Sequence, residues 1–331
     1  MRSTKGRGVQ AASRTLALGL CLGSVLGCGP GTLAQDASEE DVGALHAGVS
    51  SASGTVGGKS VWAHFSNPPA FAGRDYTIIT ELRRLIDATP AGAAINGTIH
   101  SISIDDVADS LLAAQTRGVT VYLALDGKNA SSTDPSVVTL KKLAHTKFCT
   151  NSSGGGGCIG TSAAGNLHTK MFTFSKTKDP NGVARSNVVW FGSSNLTYST
   201  GPDSFNNTVT VYDEPTLFAG LNANFSDLWN RKHYSGNDYY DSASGRGYYM
   251  ATGADAYASP EGTSQTDTIV TRLNDVTPDS SCRLRIGMSF VTTGRPELLA
   301  QVKRYKAAGC GVWMVVGTAP ISVTMRLVEA L

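Results

Sequence analysis

The sequence carries little charge and, after its N-terminal segment, no long apolar run. Charged residues make up 16% of the 331 residues and the net charge is only +2. The chain therefore lacks the strong positive field of many nucleic-acid-binding proteins, although a local basic groove is compatible with this balance. No later apolar segment is long enough to span a bilayer as a helix. A hydrophobic content of 41% favours a globular protein over a disordered one.

The N-terminus has the pattern of an export signal over residues 1–34. Basic residues precede the apolar segment Leu16–Leu26, and a small-x-Ala cleavage site ends at Ala34. We therefore predict secretion. The alternative is a lipoprotein anchored through Cys28, because the four residues that end there resemble a bacterial lipobox. We expect residues 35–58, rich in alanine, glycine and serine, to form a flexible leader.

Cysteine is scarce, and no two cysteines have the Cys-x-x-Cys spacing of a zinc site. Removal of an export signal would leave four cysteines, and an even number in an exported chain predicts two disulfides. Cys149 and Cys158 bracket a loop of glycine, serine, threonine and asparagine, so we expect them to pair. Cys282 would then pair with Cys310.

Strand-like and helix-like segments alternate along the chain. We expect a strand over Ile99–Ile104, a helix capped by Asp105, a buried strand over Val119–Leu125 and a helix over Pro135–Ala144. Such alternation predicts an α/β layer architecture with a mixed sheet.

Two short segments contain the residues that we expect to form the functional site. His168 and Lys170 are two residues apart in a predicted strand, so their side chains point to the same face. Further along, an apolar strand opens into a turn with Gly192, Ser193 and Asn195. An imidazole, an ammonium group, a hydroxyl and an amide that converge on one point suit a phosphate group.

These segments resemble the motif of the phospholipase D superfamily, in which His-x-Lys is followed by an Asp and later by a Gly-Ser-x-Asn turn. The resemblance implies an α/β fold with a mixed sheet flanked by helices. Ser175 stands in the place of the motif's Asp. Asn206 stands in the place of the acidic residue that orients the histidine in the small nucleases of the superfamily. We expect Ser175 and Asn206 to lie directly behind the catalytic residues.

The resemblance also implies a reaction, the cleavage of a phosphodiester through a covalent phosphohistidine, without a metal or another cofactor. His168 would attack phosphorus, and Lys170, Ser193 and Asn195 would bind the non-bridging oxygens. Export favours a phospholipid substrate, with head-group hydrolysis or transphosphatidylation, transient contact with a membrane surface and no obligate nucleic acid. The alternatives are an exported endonuclease of the same superfamily and a catalytically silent lobe that binds phosphate or lipid.

The remaining histidines and a group of tyrosines receive a less specific interpretation. An unpartnered histidine is more often a surface or core residue than a catalyst. We therefore place these histidines outside the site: His46, His64, His100, His145 and His233. Four tyrosines in a Gly/Ser-rich stretch could form a lipid-facing lip, but packing of a linker is the favoured interpretation: Tyr239, Tyr240, Tyr248 and Tyr249.

The second part of the sequence repeats segments of the first. Thr77–Leu82 is matched by Thr268–Leu273 at an offset of 191 residues (268 − 77). Gly118, before a strand, is matched by Gly311 at an offset of 193 (311 − 118). An internal repeat of this length predicts two similar lobes.

The repeat predicts a first lobe over residues 59–233, a linker over 234–255 and an incomplete second lobe over 256–331. By the same offset, a second histidine equivalent to His168 would fall beyond Leu331. We therefore expect a two-lobe protein truncated before its second motif. The alternative is a natural single-motif protein that forms a homodimer to complete its site.

Overall fold

The computed structural model describes five stretches of the chain, residues 50–68, 73–232, 246–259, 267–290 and 295–318. Of residues 290 and 318 only the backbone is described. Within these stretches, no helix is both long and apolar enough to pass through a bilayer. The chain divides into two compact units, of which the larger holds most residues up to 251 and the smaller holds residues 267–318.

Several predicted features lie outside the described residues. They are the export signal over residues 1–34, Cys28, His46, His233, Tyr239 and Tyr240.

The larger unit is built on an eight-stranded mixed sheet. Its strands are β1 (Ser51–Val56), β2 (Lys59–Phe65), β3 (Ala94–Ile99), β4 (Thr120–Leu125), β5 (His145–Phe148), β6 (Met171–Lys178), β7 (Ala184–Gly192) and β8 (Asn207–Val211). Their order across the sheet is β1-β2-β8-β7-β6-β3-β4-β5. β3, β4 and β5 run parallel to one another, whereas the other neighbouring pairs are antiparallel. The mixed sheet confirms the predicted α/β class.

Helices flank this sheet. They are α1 (Thr77–Asp87), α2 (Asp105–Thr116), α3 (Pro135–Leu140), α4 (Thr200–Asp203) and α5 (Pro215–Asn230). On one face, Leu82 and Leu85 of α1 are fully buried in a core that also contains Phe172 and Phe174 of β6. Thr173, between those two phenylalanines, points to the opposite face because side chains alternate along a strand. There it donates a hydrogen bond to Asn222 of α5 at 2.7 Å.

Some predicted elements differ from the structure. The strand predicted over Ile99–Ile104 is wrong, because β3 ends at Ile99 and the next residues pair with Leu196 in a single bridge at Ile102. Ile102 and Ile104 are buried, but by this loop contact and not in the sheet. A run of alternating isoleucines therefore predicts burial correctly and strand length incorrectly.

The helix boundaries also need correction. Asp105 does not cap α2, because the cap residue is Ile104 and no side chain bonds the first turn. Asp105 is the first helical residue, where its negative charge interacts favourably with the helix dipole. The helix predicted over Pro135–Ala144 ends at Leu140. The flexible leader predicted over residues 35–58 is wrong for Ser51–Val56, which forms β1 and pairs with β2.

Both predicted disulfides are present, Cys149 with Cys158 and Cys282 with Cys310. Disulfides are typical of proteins that mature in an oxidising compartment outside the cytosol. The first disulfide closes the loop that follows β5, at the same edge of the sheet as the end of β4, since Cys149 N donates to Leu125 O at 2.7 Å.

The smaller unit contains a parallel pair of strands, β11 (Arg283–Phe290) and β12 (Gly311–Thr318). It also contains α6 (Thr268–Asn274) and α7 (Pro296–Ala307). A two-stranded sheet of β9 (Tyr248–Ala251) and β10 (Ala254–Tyr257) precedes it in sequence, within the predicted linker over residues 234–255 and just beyond it.

The order α6-β11-α7-β12 repeats the order α1-β3-α2-β4, and the two strands are parallel in both cases. Helix α7 begins 191 residues after α2 (296 − 105). Gly118 and Gly309, which follow these helices, both have a positive φ, 91° and 83°. Gly118 therefore corresponds to Gly309 and not to Gly311, so the strand match in the sequence was two residues out of register.

Gly97, in the middle of β3, is required by the close packing of the sheet core. A Cβ atom at this position would lie 2.4 Å from the ring of Phe172 and 2.9 Å from Leu123, and both of these side chains are buried. We predict that Gly97→Ala lowers the free energy of unfolding by about 1–3 kcal/mol, the usual cost of overpacking. Chemical denaturation would measure the change.

Gly160→Ala is the matched control, because a Cβ atom there meets no atom within 4 Å. Its stability should stay close to that of the wild type. Equal stability of Gly97→Ala and Gly160→Ala would contradict the prediction.

Candidate active site

Both predicted motif segments lie at one edge of the eight-stranded sheet. His168 and Lys170 directly precede β6, and Ser193 directly follows β7. Because these strands are antiparallel, the start of β6 lies beside the end of β7, where Gly192 N donates to Lys170 O at 3.2 Å. The structure therefore brings the two motif segments together, as the sequence predicts.

Lys170 is a buried cation at this edge. Its side chain is almost completely covered, and Nζ donates to the main-chain oxygen of His168 at 2.8 Å. Burial and the nearby positive charge of Lys128 lower the pKa of Lys170 to about 8, against the opposing effect of Asp126. Lys170 therefore remains mainly charged at neutral pH, and its charge acts in an environment poor in water.

His168 is exposed, and a second histidine lies against it. The ring centroids of His168 and His100 are 4.6 Å apart, with an interplanar angle of 61°. Partial desolvation and the charges of Lys170 and Lys128 lower the pKa of His168. The imidazole of His168 is therefore neutral at pH 7, the form in which a histidine nitrogen can act as a nucleophile.

The prediction that His100 lies outside the site is wrong. His100 follows β3 directly, and β3 neighbours β6 in the sheet, so the two histidines are brought together by strand order. Desolvation and the positive charge of Lys128 lower the pKa of His100 to about 4. No local pattern predicts this contact, because 68 residues separate the two histidines (168 − 100).

The partners of His100 define its protonation state. Nε2 lies 2.8 Å from Lys128 Nζ, and Nδ1 lies 3.1 Å from Leu167 O. Because an ammonium group only donates hydrogen bonds, Nε2 accepts from Lys128 and Nδ1 carries the proton. His100 is therefore a neutral imidazole of fixed tautomer.

Asp126 connects the end of β4 to the segment that precedes His168. Its carboxylate is fully buried and accepts hydrogen bonds from Leu167 N at 2.8 Å and Lys128 N at 3.0 Å. It also lies 3.6 Å from His100 Nδ1. Asp126 and Lys128 are absent from the predicted site, although both follow the predicted buried strand closely, where polar residues often form sites.

Ser193 and Asn206 contact each other. Ser193 Oγ donates to Asn206 Oδ1 at 2.9 Å and accepts from Asn207 N at 3.1 Å. Asn206 therefore lies behind the motif serine, as expected for a supporting residue. The expected partner, however, was the histidine, and the contact that the structure provides is with Ser193.

Asn195 contributes an unsatisfied amide. Its Oδ1 atom is buried and has no hydrogen-bond partner among the described residues. The next residue, Leu196, accepts from Ser103 N and donates to Ser101 O, which places Asn195 beside the segment that follows His100. A buried polar atom without a partner is uncommon. This oxygen only accepts hydrogen bonds, so a phosphate oxygen would have to bind the Nδ2 group of Asn195 instead.

Ser175 does not lie behind the catalytic residues, and its predicted supporting role is wrong. Its hydroxyl accepts a hydrogen bond from Ala94 N, at the start of β3, at 2.8 Å. The reason is the straight path of β6, since seven residues of extended chain span about 23 Å. Ser175 is therefore carried to the opposite end of the strand from His168.

Two other histidines make different contacts. His64 is buried, stacks on Trp62 and lies 4.0 Å from Glu81. His145 stacks on Tyr122, with ring centroids 4.1 Å apart.

One family of known proteins matches the part of the chain that contains this site. Residues 85–229 match the family described as "Cardiolipin synthase, PLD-like domain". No curated protein matches the sequence. His168, Lys170, Ser193 and Asn195 all lie within the matched residues. The chain thus contains a phospholipase D-like domain over these residues.

Several solved structures are similar to this chain. Nuc, a phospholipase D family member from Salmonella typhimurium, is 19% identical, with 52% of this chain and 95% of that chain covered and a TM-score of 0.39. NucT from Helicobacter pylori is 14% identical, with 52% and 97% covered and a TM-score of 0.39. Phosphatidylserine synthase from Haemophilus influenzae is 11% identical, with 77% and 61% covered and a TM-score of 0.46.

The charge of Lys128 controls the titration of the site. Lys128 lowers the pKa of His168, because a second positive charge disfavours the protonated imidazole. We therefore predict that Lys128→Met raises the pKa of His168, measured by NMR from the imidazole chemical shifts as a function of pH. Lys142→Met, which removes an exposed lysine on another part of the surface, is the control and should leave that pKa unchanged. An unchanged or lower pKa of His168 in Lys128→Met would contradict the prediction.

Proposed function

We propose that the protein is a phosphodiesterase of the phospholipase D type, which hydrolyses phospholipid head groups or transfers the phosphatidyl group to another alcohol. The observation that carries the proposal is the pairing of an exposed, neutral His168 with the buried ammonium group of Lys170. A neutral imidazole supplies the nucleophile, and a buried cation stabilises the charge that develops on the phosphoryl oxygens.

The proposed reaction has two steps. An imidazole nitrogen of His168 forms a bond to phosphorus, the bond from phosphorus to the head-group oxygen breaks, and the alkoxide takes a proton from an acid. Water, or a second alcohol, then attacks the phosphohistidine and loses a proton, and His168 is released. Lys170, Ser193 and the Nδ2 group of Asn195 are the groups proposed to hold the non-bridging oxygens in both steps.

His100 is not suited to be the acid of this reaction. Its pKa of about 4 leaves it neutral at pH 7, and both of its ring nitrogens already have partners within the described residues. We propose that the proton comes from a second copy of the motif, in another lobe or in the partner of a homodimer. His100 instead contacts the ring of His168 and contributes to its position.

Two exposed aromatic residues favour a lipid substrate. Phe205 is 72% exposed and Tyr198 is 53% exposed, and both belong to the segment between the motif Asn195 and Asn206. Aromatic side chains beside a catalytic site are suited to contact a membrane surface. Tyr249, in the predicted tyrosine group, instead packs against Gly220 of α5, as the linker interpretation predicts.

The alternatives are an endonuclease of the same superfamily and a silent lobe that only binds phosphate or lipid. The proposed phosphodiesterase and the two alternatives would all bind phosphate through the same residues. An assay of different substrates therefore distinguishes them. The near-neutral net charge of +2 is a weak argument against a nuclease, since contacts to a phosphate backbone usually need many cationic residues.

We predict that the protein releases head groups from phospholipid vesicles when a second copy of the motif is present, in a two-lobe chain or in a homodimer. We expect His168→Gln to lower this rate by at least about a thousandfold, because loss of the nucleophile removes the covalent route. His145→Gln is the matched control and should retain the wild-type rate. The assay compares phospholipid vesicles with single- and double-stranded DNA.

Cleavage of DNA without head-group release would support the nuclease. Absence of both activities in the presence of the second motif would support the silent lobe. Equal rates for His168→Gln and the wild type would contradict the proposed mechanism.

A further inference from the structure

The hydroxyl group of Ser193 already uses its proton within the protein. Ser193 Oγ donates to Asn206 Oδ1 at 2.9 Å and accepts from Asn207 N at 3.1 Å. A second acceptor, Asn207 O, lies 3.4 Å from Ser193 Oγ, beyond the usual length of an O–H···O hydrogen bond. Because a hydroxyl group has a single proton, Ser193 in this arrangement has none to donate to a phosphoryl oxygen.

Ser193 nevertheless lies at the same edge of the sheet as the proposed nucleophile. It is exposed, and it directly follows Gly192, whose N–H donates to Lys170 O at 3.2 Å. Lys170 Nζ in turn donates to His168 O at 2.8 Å. The direction of the hydroxyl proton is therefore what separates Ser193 from the binding of an anion.

The main chain of Asn206 is fixed by Ser66, a buried residue outside both motif segments. Ser66 Oγ accepts from Asn206 N at 2.8 Å, and Ser66 N donates to Asn206 O at 3.0 Å. Ser66 Oγ also donates to Ser204 O at 2.7 Å. A change at Asn206 on ligand binding is therefore confined to its side chain.

The side chain of Asn206 can reverse its hydrogen bond to Ser193, because it is an amide. Its Nδ2 group donates to no described residue. Half a turn about χ2 exchanges Oδ1 and Nδ2, which are similar in size. Nδ2 then donates to Ser193 Oγ, which also accepts from Asn207 N and so uses both of its lone pairs. This arrangement releases the Ser193 proton for a ligand.

We propose that Asn206 is a positioning residue of the phosphate site, whose amide rotates when an anion binds and directs the Ser193 proton towards a phosphoryl oxygen. The proposal rests on the proposed function, because that function assigns Ser193 to a non-bridging oxygen. An ionised carboxylate at position 206 would only accept hydrogen bonds and would retain the Ser193 proton. The amide therefore gives the site a hydrogen-bond donor that an acid at this place would withhold.

The test is a double-mutant cycle that measures binding and does not depend on turnover. Inorganic phosphate is titrated by calorimetry into the wild-type protein, Asn206→Asp, Ser193→Ala and the double variant. Asn206→Asp adds a negative charge in both backgrounds, but it retains a proton only where Ser193 is present. We expect the loss of affinity caused by Asn206→Asp to be at least about tenfold greater with Ser193 than with alanine at position 193. Equal losses in the two backgrounds would overturn the proposal.

Asn181→Asp is the matched control for the added charge. Asn181 is exposed and lies in the turn between β6 and β7, at the opposite end of these strands from His168. This variant should bind phosphate with the wild-type affinity. A loss as large as that of Asn206→Asp would show that net charge, and not the Ser193 proton, determines the affinity, and would also overturn the proposal.

A spectroscopic measurement reports on the rotation itself. The side-chain N–H resonances of Asn206 are assigned in NMR spectra by their absence from Asn206→Asp. They should move downfield when phosphate is added to the wild-type protein, since Nδ2 gains Ser193 Oγ as an acceptor. The shift should be absent in Ser193→Ala. A downfield shift that persists in Ser193→Ala would contradict the proposal, because Nδ2 would then bind the anion directly.

Lys170→Met separates this proposal from the proposed function. This variant should lose phosphate binding, since Lys170 supplies the buried positive charge. Loss of binding in Lys170→Met together with equal losses in the two Ser193 backgrounds would reject the role of Asn206 and leave the phosphate site intact. A wild-type protein that binds no phosphate would contradict both the proposed function and the role of Asn206.

Discussion

The buried carboxylate of Asp126 is the group on which the arrangement of the site depends. It has no exposed surface and is stabilised by the main-chain N–H groups of Leu167 and Lys128. Burial of an unpaired charge is costly, so a fully buried carboxylate requires these partners. The same two bonds hold together three parts of the site, which are the end of β4, the segment before His168 and the Lys128 turn. The negative charge of Asp126 also offsets part of the positive charge around the histidines.

The positive charges around His168 are suited to the binding of an anion. Lys128 and Lys170 disfavour protonation of both histidines, which keeps His168 neutral while the two ammonium groups provide positive charge. An anionic phosphodiester bound there would relieve the repulsion between the lysines. The amide oxygen of Asn195 has no partner among the described residues, but it only accepts hydrogen bonds, so it does not contribute to the binding of an anion.

The sequence predicts those site residues that lie close to one another along the chain. His168 and Lys170 directly precede β6, and Ser193 directly follows β7. These adjacent antiparallel strands are joined by a short connection, so motif spacing is enough to place the three residues together. His100 and Asp126 reach the same place only because β3 lies between β6 and β4 in the sheet. Strand order of this kind depends on long-range pairing, which local periodicity does not encode. The strand predicted over Ile99–Ile104 also places His100 inside a strand. This prediction conceals the position of His100 at the site.

Ser175 and Asn206, the two residues that differ from the superfamily motif, lie in different parts of the structure. Ser175 lies at the far end of β6, where its hydroxyl accepts from Ala94 N, so the change from Asp concerns the packing of β3 against β6. Asn206 lies at the site and bonds Ser193, so that change affects the group proposed to hold a phosphoryl oxygen. The first replacement is therefore compatible with catalysis, whereas the second alters the hydrogen bonding of Ser193.

The most direct test of the central claim is to look for the covalent intermediate on His168. The protein is mixed with a phospholipid substrate, quenched in alkali, where phosphohistidines persist, and digested for mass spectrometry. We predict a phosphatidyl adduct on the peptide that contains His168. Head-group release with the adduct on another residue, or with no adduct at all, would contradict it.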